Sequence, residues 1–384
     1  MTKHMNPPSE RVASRSPLFI RRVDAIPIAL PLAKPMKMAN VTIATADNVL
    51  VRIEADGGLV GWGEAASAPT MTGDTQGSLV AAIRHLAPLI IGTDAWSGSA
   101  LMRKLGAALY GNTGAHSAIE LALLDLAGRA AGLPAINLIG GPLRRAVAPM
   151  WLLGNATPAE DAAEARAKLA QGFRFFKVKV GAKSVEGDIA STLAVRDALG
   201  IEVPICADAN CGFAPADARR YVDATREARL IFLEQPFGPH DLKSLATLAR
   251  LSPLPLGADE GIHSLDDVTA HAEAGAGGVS LKLIKLGGMS AAVEAARLCA
   301  RLGLSINVAA KIAESSIASA AAINLACAAP SVDWGVSLTH FYLAHDIVKT
   351  PLKIADGLVA LPEAPGLGVE IDEEAVAQFT VKGF

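Results

Sequence analysis

The chain has 384 residues, 51% of them apolar and 19% charged, with a formal net charge of −3. Mean hydropathy is high at +0.34, but no run of about 18 uncharged apolar residues is present to span a bilayer, and the apolar content suffices for a large core, which excludes a disordered chain. Lysine and arginine are scattered among acids, so no nucleic-acid or membrane partner is indicated; four cysteines are too few for a disulfide framework, and Cys206 and Cys211 read as reduced thiols of a cytoplasmic protein.

Met1–Ser16 is polar and lacks the apolar stretch of a signal peptide, so it reads as a loose tail. From Leu18 to about Ser67 the pattern is β. Asn48–Glu54 alternates with period two, ends at the turn Asp56-Gly57-Gly58, and has Leu59–Glu64 as its hairpin partner. Gly77 to Ala130 reads as helical, with apolar residues at helical spacing over Ala115–Leu126. Three or so strands followed by helices predict an α+β domain. After Gly140-Gly141 the rhythm changes. Phe175–Val180, Val203–Ala207, Leu230–Leu233, Leu254–Gly257, Gly278–Leu283 and Leu304–Val308 are short β-like runs, each separated from the next by one helix-length segment such as Val185–Leu199. This alternation predicts a parallel α/β sheet, and the number of units fits a closed barrel better than an open sheet. From about Asp356 short strands and loops return. The expected division is a tail at 1–16, a capping domain at 17–142, a barrel at 143–355 and a segment at 356–384 that packs back on the cap.

Charged residues close the barrel strands. Successive strands end in Lys177-Val178-Lys179, Asp208-Ala209-Asn210, Glu234-Gln235-Pro236, Asp259-Glu260 and Lys282–Gly288, each roughly 25 residues from the next, about one strand–helix unit. A barrel gathers these ends into one cup. Three carboxylates there would raise one another's pKa unless a cation sits among them. Asp208, Glu234 and Asp259 offer hard oxygen donors suited to Mg2+, with Mn2+ able to replace it, and leave coordination positions for substrate and water. No histidine closes these strands, which disfavours zinc. Alternation places Lys177 and Lys179 on one face, and Lys282 approaches from the opposite wall. A desolvated lysine beside other cations has a lowered pKa and acts as a base. The implied step moves the proton alpha to a carboxylate, with the resulting anion held by the metal and Lys177; lysine bases with magnesium are the known arrangement for that chemistry. Any one of these charges alone reads as a strand cap or a solvated surface charge; five in register point to a site.

These motifs, with Trp62-Gly63-Glu64 and the closing Pro365–Val369, resemble the enolase superfamily, and within it the muconate-lactonizing branch, over nearly the whole chain. The resemblance implies a modified TIM barrel, (β/α)7β, under an α+β cap. It implies that Asp208, Glu234 and Asp259 bind magnesium, that Lys179 and Lys282 are the acid/base pair, and that Lys177 supports the anion. Lys282 on the sixth strand, with Asn307 near the end of the seventh, disfavours the mandelate-racemase branch. Asn210 and Glu260 join the pocket. Glu314 matches a pocket glutamate of the family, or else an acid at a helix start. The cap is expected to supply two mobile loops, Pro31–Thr42 and Ala65–Thr75. Met36, Met38 and Met71 would present soft apolar surface from them, or pack between domains. His340, Phe341 and Tyr342 face either ligand or core, and Trp334 either meets an ammonium group or is buried.

The shared step leaves the product open. The branch implies a muconate-type cycloisomerase acting on a small carboxylate. The rivals are a racemase or epimerase of an N-substituted amino acid or dipeptide, a hydroxy-acid or sugar-acid dehydratase, and a barrel that only binds. Dipeptide epimerases of the branch often carry Asp-x-Asp on the last strand; Ser331–Gly335 offers only Asp333, which weakens that reading. Family analogy implies a homo-oligomer, dimer or octamer.

Overall fold

The computed structural model describes residues 16–38, 41–154 and 156–384; the side chains at 37, 38, 41 and 42 lie outside the description, and with them the expectation for Met38. The expected loose tail also lies outside it, apart from Ser16. The chain opens with an antiparallel sheet in the order β1 (Ile20–Met38), β2 (Val41–Ala55) and β3 (Val60–Ala66). Helices α1 (Gln76–Leu86), α2 (Gly98–Ala108) and α3 (Thr113–Ala131) follow. Thr75 caps α1 by accepting the Ser78 amide, as a short hydroxyl at an N-cap does. Helix α3 lies directly on β3. A Cβ on Gly63 would collide with the Ala118 carbonyl of α3, so only glycine permits this approach.

The segment expected to be the first mobile loop is instead a β-ribbon. β1 and β2 stay paired out to Met38 opposite Val41, with a register shift between Pro31 and Met36. Proline lacks the amide hydrogen for the ladder, and the stretch where the register shifts runs from Pro31 through Pro35 to Met36.

After the short β4 (Ala146–Val147) come eight parallel strands: β5 (Met150–Leu153), β6 (Phe175–Lys179), β7 (Ile205–Asp208), β8 (Leu233–Glu234), β9 (Leu256–Ala258), β10 (Gly278–Leu281), β11 (Ser305–Ala309) and β12 (Val336–Ser337). They pair in chain order, and a bridge between Pro149 and Val336 joins the last strand to the first. Seven crossover helices connect them: α4 (Pro158–Ala170), α5 (Val185–Leu199), α6 (Pro215–Ala224), α7 (Leu242–Leu251), α8 (Leu265–Glu273), α10 (Met289–Leu302) and α11 (Ser316–Ala328), with one extra turn, α9 (Leu283–Leu286), ahead of α10. This is the (β/α)7β barrel. Its first and last strands carry no strong alternating run, and the sequence pattern did not single them out. No helix among the described residues is long and apolar enough to cross a membrane.

The C-terminal segment returns to the cap. β13 (Val359–Ala360) pairs with β4, and α12 (Glu373–Phe379) lies against β1. Buried Asp125 of α3 gathers the pieces: it accepts the amides of Trp62 at 2.9 Å and Leu367 at 2.7 Å and the Arg129 guanidinium at 2.8 Å. The Trp62-Gly63-Glu64 and Pro365–Val369 motifs thus meet on one helix.

Candidate active site

The strand ends converge as their spacing requires. A cavity of about 760 Å³ lies between the barrel mouth and the cap. Its floor includes Lys177, Lys179, Asp208, Asn210, Asp259, Glu260 and Lys282, and its roof includes Asp47, Asn48 and Met71. Parallel pairing sets the ring directly: Lys179 is opposite Asp208, and Asp208 opposite Glu234.

Each carboxylate leans on a lysine. Lys177 contacts Glu234, Lys282 contacts Asp259, and Lys179 donates to Asp208 at 2.6 Å and to the Asn210 amide oxygen at 2.8 Å. Ser280 donates to the other Glu234 oxygen at 2.5 Å, and Asn307 accepts from Ser280 at 3.1 Å. Asn210 in turn donates to Glu260 at 2.9 Å, leaving the second Glu260 oxygen buried without a partner. The chain leaves β7 and β8 through left-handed backbone at Asn210, Cys211 and Gln235, with φ of 40°, 66° and 37°. Such conformations cost non-glycine residues roughly 1–3 kcal/mol each and cluster at working sites.

The charges shape one another. Burial pushes the Glu234 carboxyl up, and Asp208 and Asp259 push it further against the pull of Lys177. Burial also opposes ionisation of Asp259, but Lys282 and Lys285 hold its pKa well below the usual carboxylate range. Glu260 is raised to about 7 by burial and by Asp259 and Asp208. Burial would lower Lys177 and Lys282; the adjoining carboxylates outweigh it, and both stand above the ordinary lysine value. The expected lowering is thus not found at Lys282, because its counter-charge is in contact. It is found at Lys285 and Lys311, where burial dominates.

Among the described residues no three His, Cys, Asp or Glu side chains are converged on one point. The donor set still suits a hard divalent cation: three buried carboxylates on adjacent strand ends, all oxygen, with Glu234 raised by both of its neighbours, a repulsion that a cation among them relieves.

Other expected pocket residues separate. Met71 lines the cavity. Met36 is buried and lines a neighbouring cavity with Trp151 and Tyr342. Trp334 is not at the mouth. It stacks on Phe232 at 4.0 Å and packs over Gly278, the first residue of β10, so it plugs the barrel floor. Asp333 is equally displaced, because it precedes β12; the residues this strand end sends into the cavity are Ser337 and Thr339. Glu314 is buried behind the wall, its pKa raised to about 8 by burial and by Glu64. It does not cap α11; Ser315 does, with Glu64 of the cap accepting the Ser315 and Ala318 amides. His340 is core, held between Ser319 at 2.9 Å and the Leu352 carbonyl at 3.0 Å. Cys206 is buried, while Cys211 lines the cavity with its thiol pushed up to about 12 by burial.

Three participants were not singled out from sequence. Fully buried Lys285 donates to the Asp259 carboxylate at 2.6 Å and to the Asp259 and Ser280 carbonyls. Gln235 accepts the Asp259 amide at 2.7 Å and so ties two strand ends together. Lys311 lines the cavity from the loop after β11. The Lys282–Gly288 motif contained Lys285, but its inward direction depends on the turn α9.

Residues 21–140 match the model of the mandelate racemase/muconate lactonizing enzyme N-terminal domain, and residues 160–375 match the enolase C-terminal domain-like model. The chain belongs to the mandelate racemase/muconate lactonizing enzyme family of the enolase superfamily. Muconate cycloisomerase 1 of Rhodococcus opacus is 32% identical over 370 residues, 94% of this chain and 99% of that protein. The L-Ala-D/L-Glu epimerase of Bacillus subtilis is 32% identical over 356 residues, 91% of this chain and 96% of that protein. Muconate lactonizing enzyme from Pseudomonas fluorescens, complexed with muconolactone, superposes with a TM-score of 0.91 at 31% identity, covering 95% of this chain and all of that one. N-succinyl Arg/Lys racemase from Bacillus cereus gives 0.90 at 28% identity, covering 95% of this chain and 98% of that one. The chain is therefore an isomerase-type enzyme of this branch.

Proposed function

We propose that this enzyme moves the proton alpha to a substrate carboxylate in a magnesium-dependent reaction, and that its net reaction is a muconate-type cycloisomerisation. One observation carries the reading: Lys179 and Lys282 reach the same cavity from β6 and from the end of β10, with the carboxylates of β7, β8 and β9 between them. Asp208, Glu234 and Asp259 would hold Mg2+, or Mn2+ in its place. The bound cation supplies positive charge to the substrate carboxylate as charge develops there. Lys177 stays cationic, since Glu234 and Asp208 raise its pKa against the effect of burial, and it faces the same developing charge. Lys179 and Lys282 exchange the proton at Nζ. Asn210 and Glu260 orient Lys179 and the mouth of β9 through their hydrogen bond.

A second reading is racemisation or epimerisation of an N-substituted amino acid. The opposed lysines favour it, because inversion needs a group on each face of the α-carbon. A free dipeptide is the weaker form of that reading, since Ser337 and Thr339 place no carboxylate at the last strand end to meet an ammonium group. Either reaction suits a cytoplasmic homo-oligomer acting on a small carboxylate.

The test is exchange of the α-proton into deuterated water across carboxylates with Mg2+ present. Lys179→Met and Lys282→Met are each expected to lower the rate by about 10²–10⁴-fold. Full exchange in either variant removes that lysine from the scheme. Lactone formation from muconate, against inversion of an N-acyl amino acid, separates the two readings.

A further inference from the structure

The turn that carries two of the site lysines is held from outside the cavity. Lys282 follows β10 as the N-cap of α9, and the Lys285 and Leu286 amides both donate to its carbonyl at 3.2 Å. The four residues of α9 divide between two cores. Leu283 and Leu286 pack into the barrel core, and Lys285 is fully buried against Asp259. Ile284 belongs instead to the buried core of the cap, with Leu79, Leu105, Ile119 and Leu123, and among the described residues it is the one barrel residue there.

A second tie fixes the far end of the turn. Helix α10 begins after Gly288, which has no side chain to cap it. Glu120 of α3 supplies the missing acceptor: it takes the Ser290 hydroxyl, and both its oxygens lie 3.3 Å from the Ser290 amide. The unpaired amides of a helix start favour a carboxylate there. A Cβ on Gly288 would run into the Glu120 carboxylate, so this approach requires glycine.

Between the two ties the backbone has little stiffness of its own. Gly287 and Gly288 both have positive φ, at 85° and 133°, and a single helical turn is not stable in isolation. The charges work against the arrangement as well, since the Lys282 and Lys285 ammonium groups share one carboxylate, Asp259, and repel each other. What holds α9 in place is its packing against α3.

We infer that Glu120 and Ile284, neither of which lines the cavity, are positioning residues for Lys282: helix α3 of the cap fixes turn α9 and thereby sets where the Lys282 and Lys285 ammonium groups meet Asp259. The inference rests on the reading of Lys282 as an acid/base group given above.

Two measurements on the whole magnesium-loaded protein test it. The first is amide hydrogen exchange. In Glu120→Ala and in Ile284→Ala the amides of Lys285–Gly288 are expected to exchange about 10-fold faster, with those of β6 and β7 unchanged. Glu120→Gln keeps an acceptor and should restore most of the protection. Glu64→Ala opens the separate contact of the cap with α11, so it controls for lost stability and should leave these amides as in the parent. The second is α-proton exchange into deuterated water, read separately for the two faces of the α-carbon in muconolactone or an N-acyl amino acid, whichever the parent exchanges. On the face that Lys282→Met silences, Glu120→Ala is expected to lower kcat by about 10–100-fold at nearly constant KM. On the Lys179 face the rate should stay close to that of the parent. Unchanged α9 amides, faster exchange throughout the barrel, an equal effect in Glu64→Ala, equal slowing on both faces, or a rise in KM at constant kcat overturns the inference. If the parent exchanges no proton on the Lys282 face, the acid/base reading fails, and the amide measurement decides by itself whether α3 holds Lys282 in place.

Discussion

Glu64 of the cap accepts the Ser315 amide at 3.0 Å, the Ser315 hydroxyl at 2.6 Å and the Ala318 amide at 3.1 Å. A carboxylate from one part of the chain thereby closes the N-terminus of barrel helix α11, where the unpaired amides and helix dipole favour negative charge. The Asn48 side chain donates to the same carboxylate at 2.7 Å and to the Ala313 carbonyl at 3.0 Å. This clasp joins the roof of the cavity to the loop that carries Lys311.

Removing the clasp leaves several buried donors unsatisfied. Glu64→Ala is expected to destabilise the fold by about 3 kcal/mol. Urea unfolding measures this, and a cost under about 1 kcal/mol would show that water replaces the carboxylate. Glu64→Gln keeps an acceptor and should lose less.

Lys285 orients Asp259 from inside the barrel. Lys285→Met fills nearly the same space but frees the carboxylate to rotate. Magnesium affinity is expected to fall by about 10–100-fold, the usual effect of losing a group that orients a ligand, with activity restored by excess Mg2+. Titration of the metal by calorimetry checks this. Unchanged or tighter binding would mean that Lys285 serves only as a counter-charge.

Glu314 gives a pH dependence with a definite sign. Its folded pKa, about 8, lies above the ordinary carboxyl value, with burial the main cause and Glu64 the second. The folded state therefore keeps a proton that the unfolded chain loses first. The stabilisation is complete below the unfolded value and declines as pH rises from about 4.5 to 8. Glu314→Gln lacks this decline, so its stability relative to the parent should improve from pH 5 to pH 8 by roughly 3–4 kcal/mol. Parallel unfolding curves across that range would place the proton elsewhere.

The chain by itself determined the barrel's repeat and the charged set at its mouth. Both are local: period-two alternation gives each strand its inward face, and one charge closes each repeat. Asp208, Glu234, Asp259, Lys177, Lys179 and Lys282 were legible for that reason. Family motifs added Trp62-Gly63-Glu64, but not what Glu64 holds, since its partners at the start of α11 are some 250 positions away. Only the tertiary structure decided which end of the barrel a residue serves. Trp334 and Ser337 are three residues apart, yet one plugs the floor and the other opens on the cavity, because β12 runs between them. It alone decided which cations are neutralised and which are not. That depends on distance between strands far apart in sequence, and it separates Lys285, locked on Asp259, from Lys311, left facing the cavity.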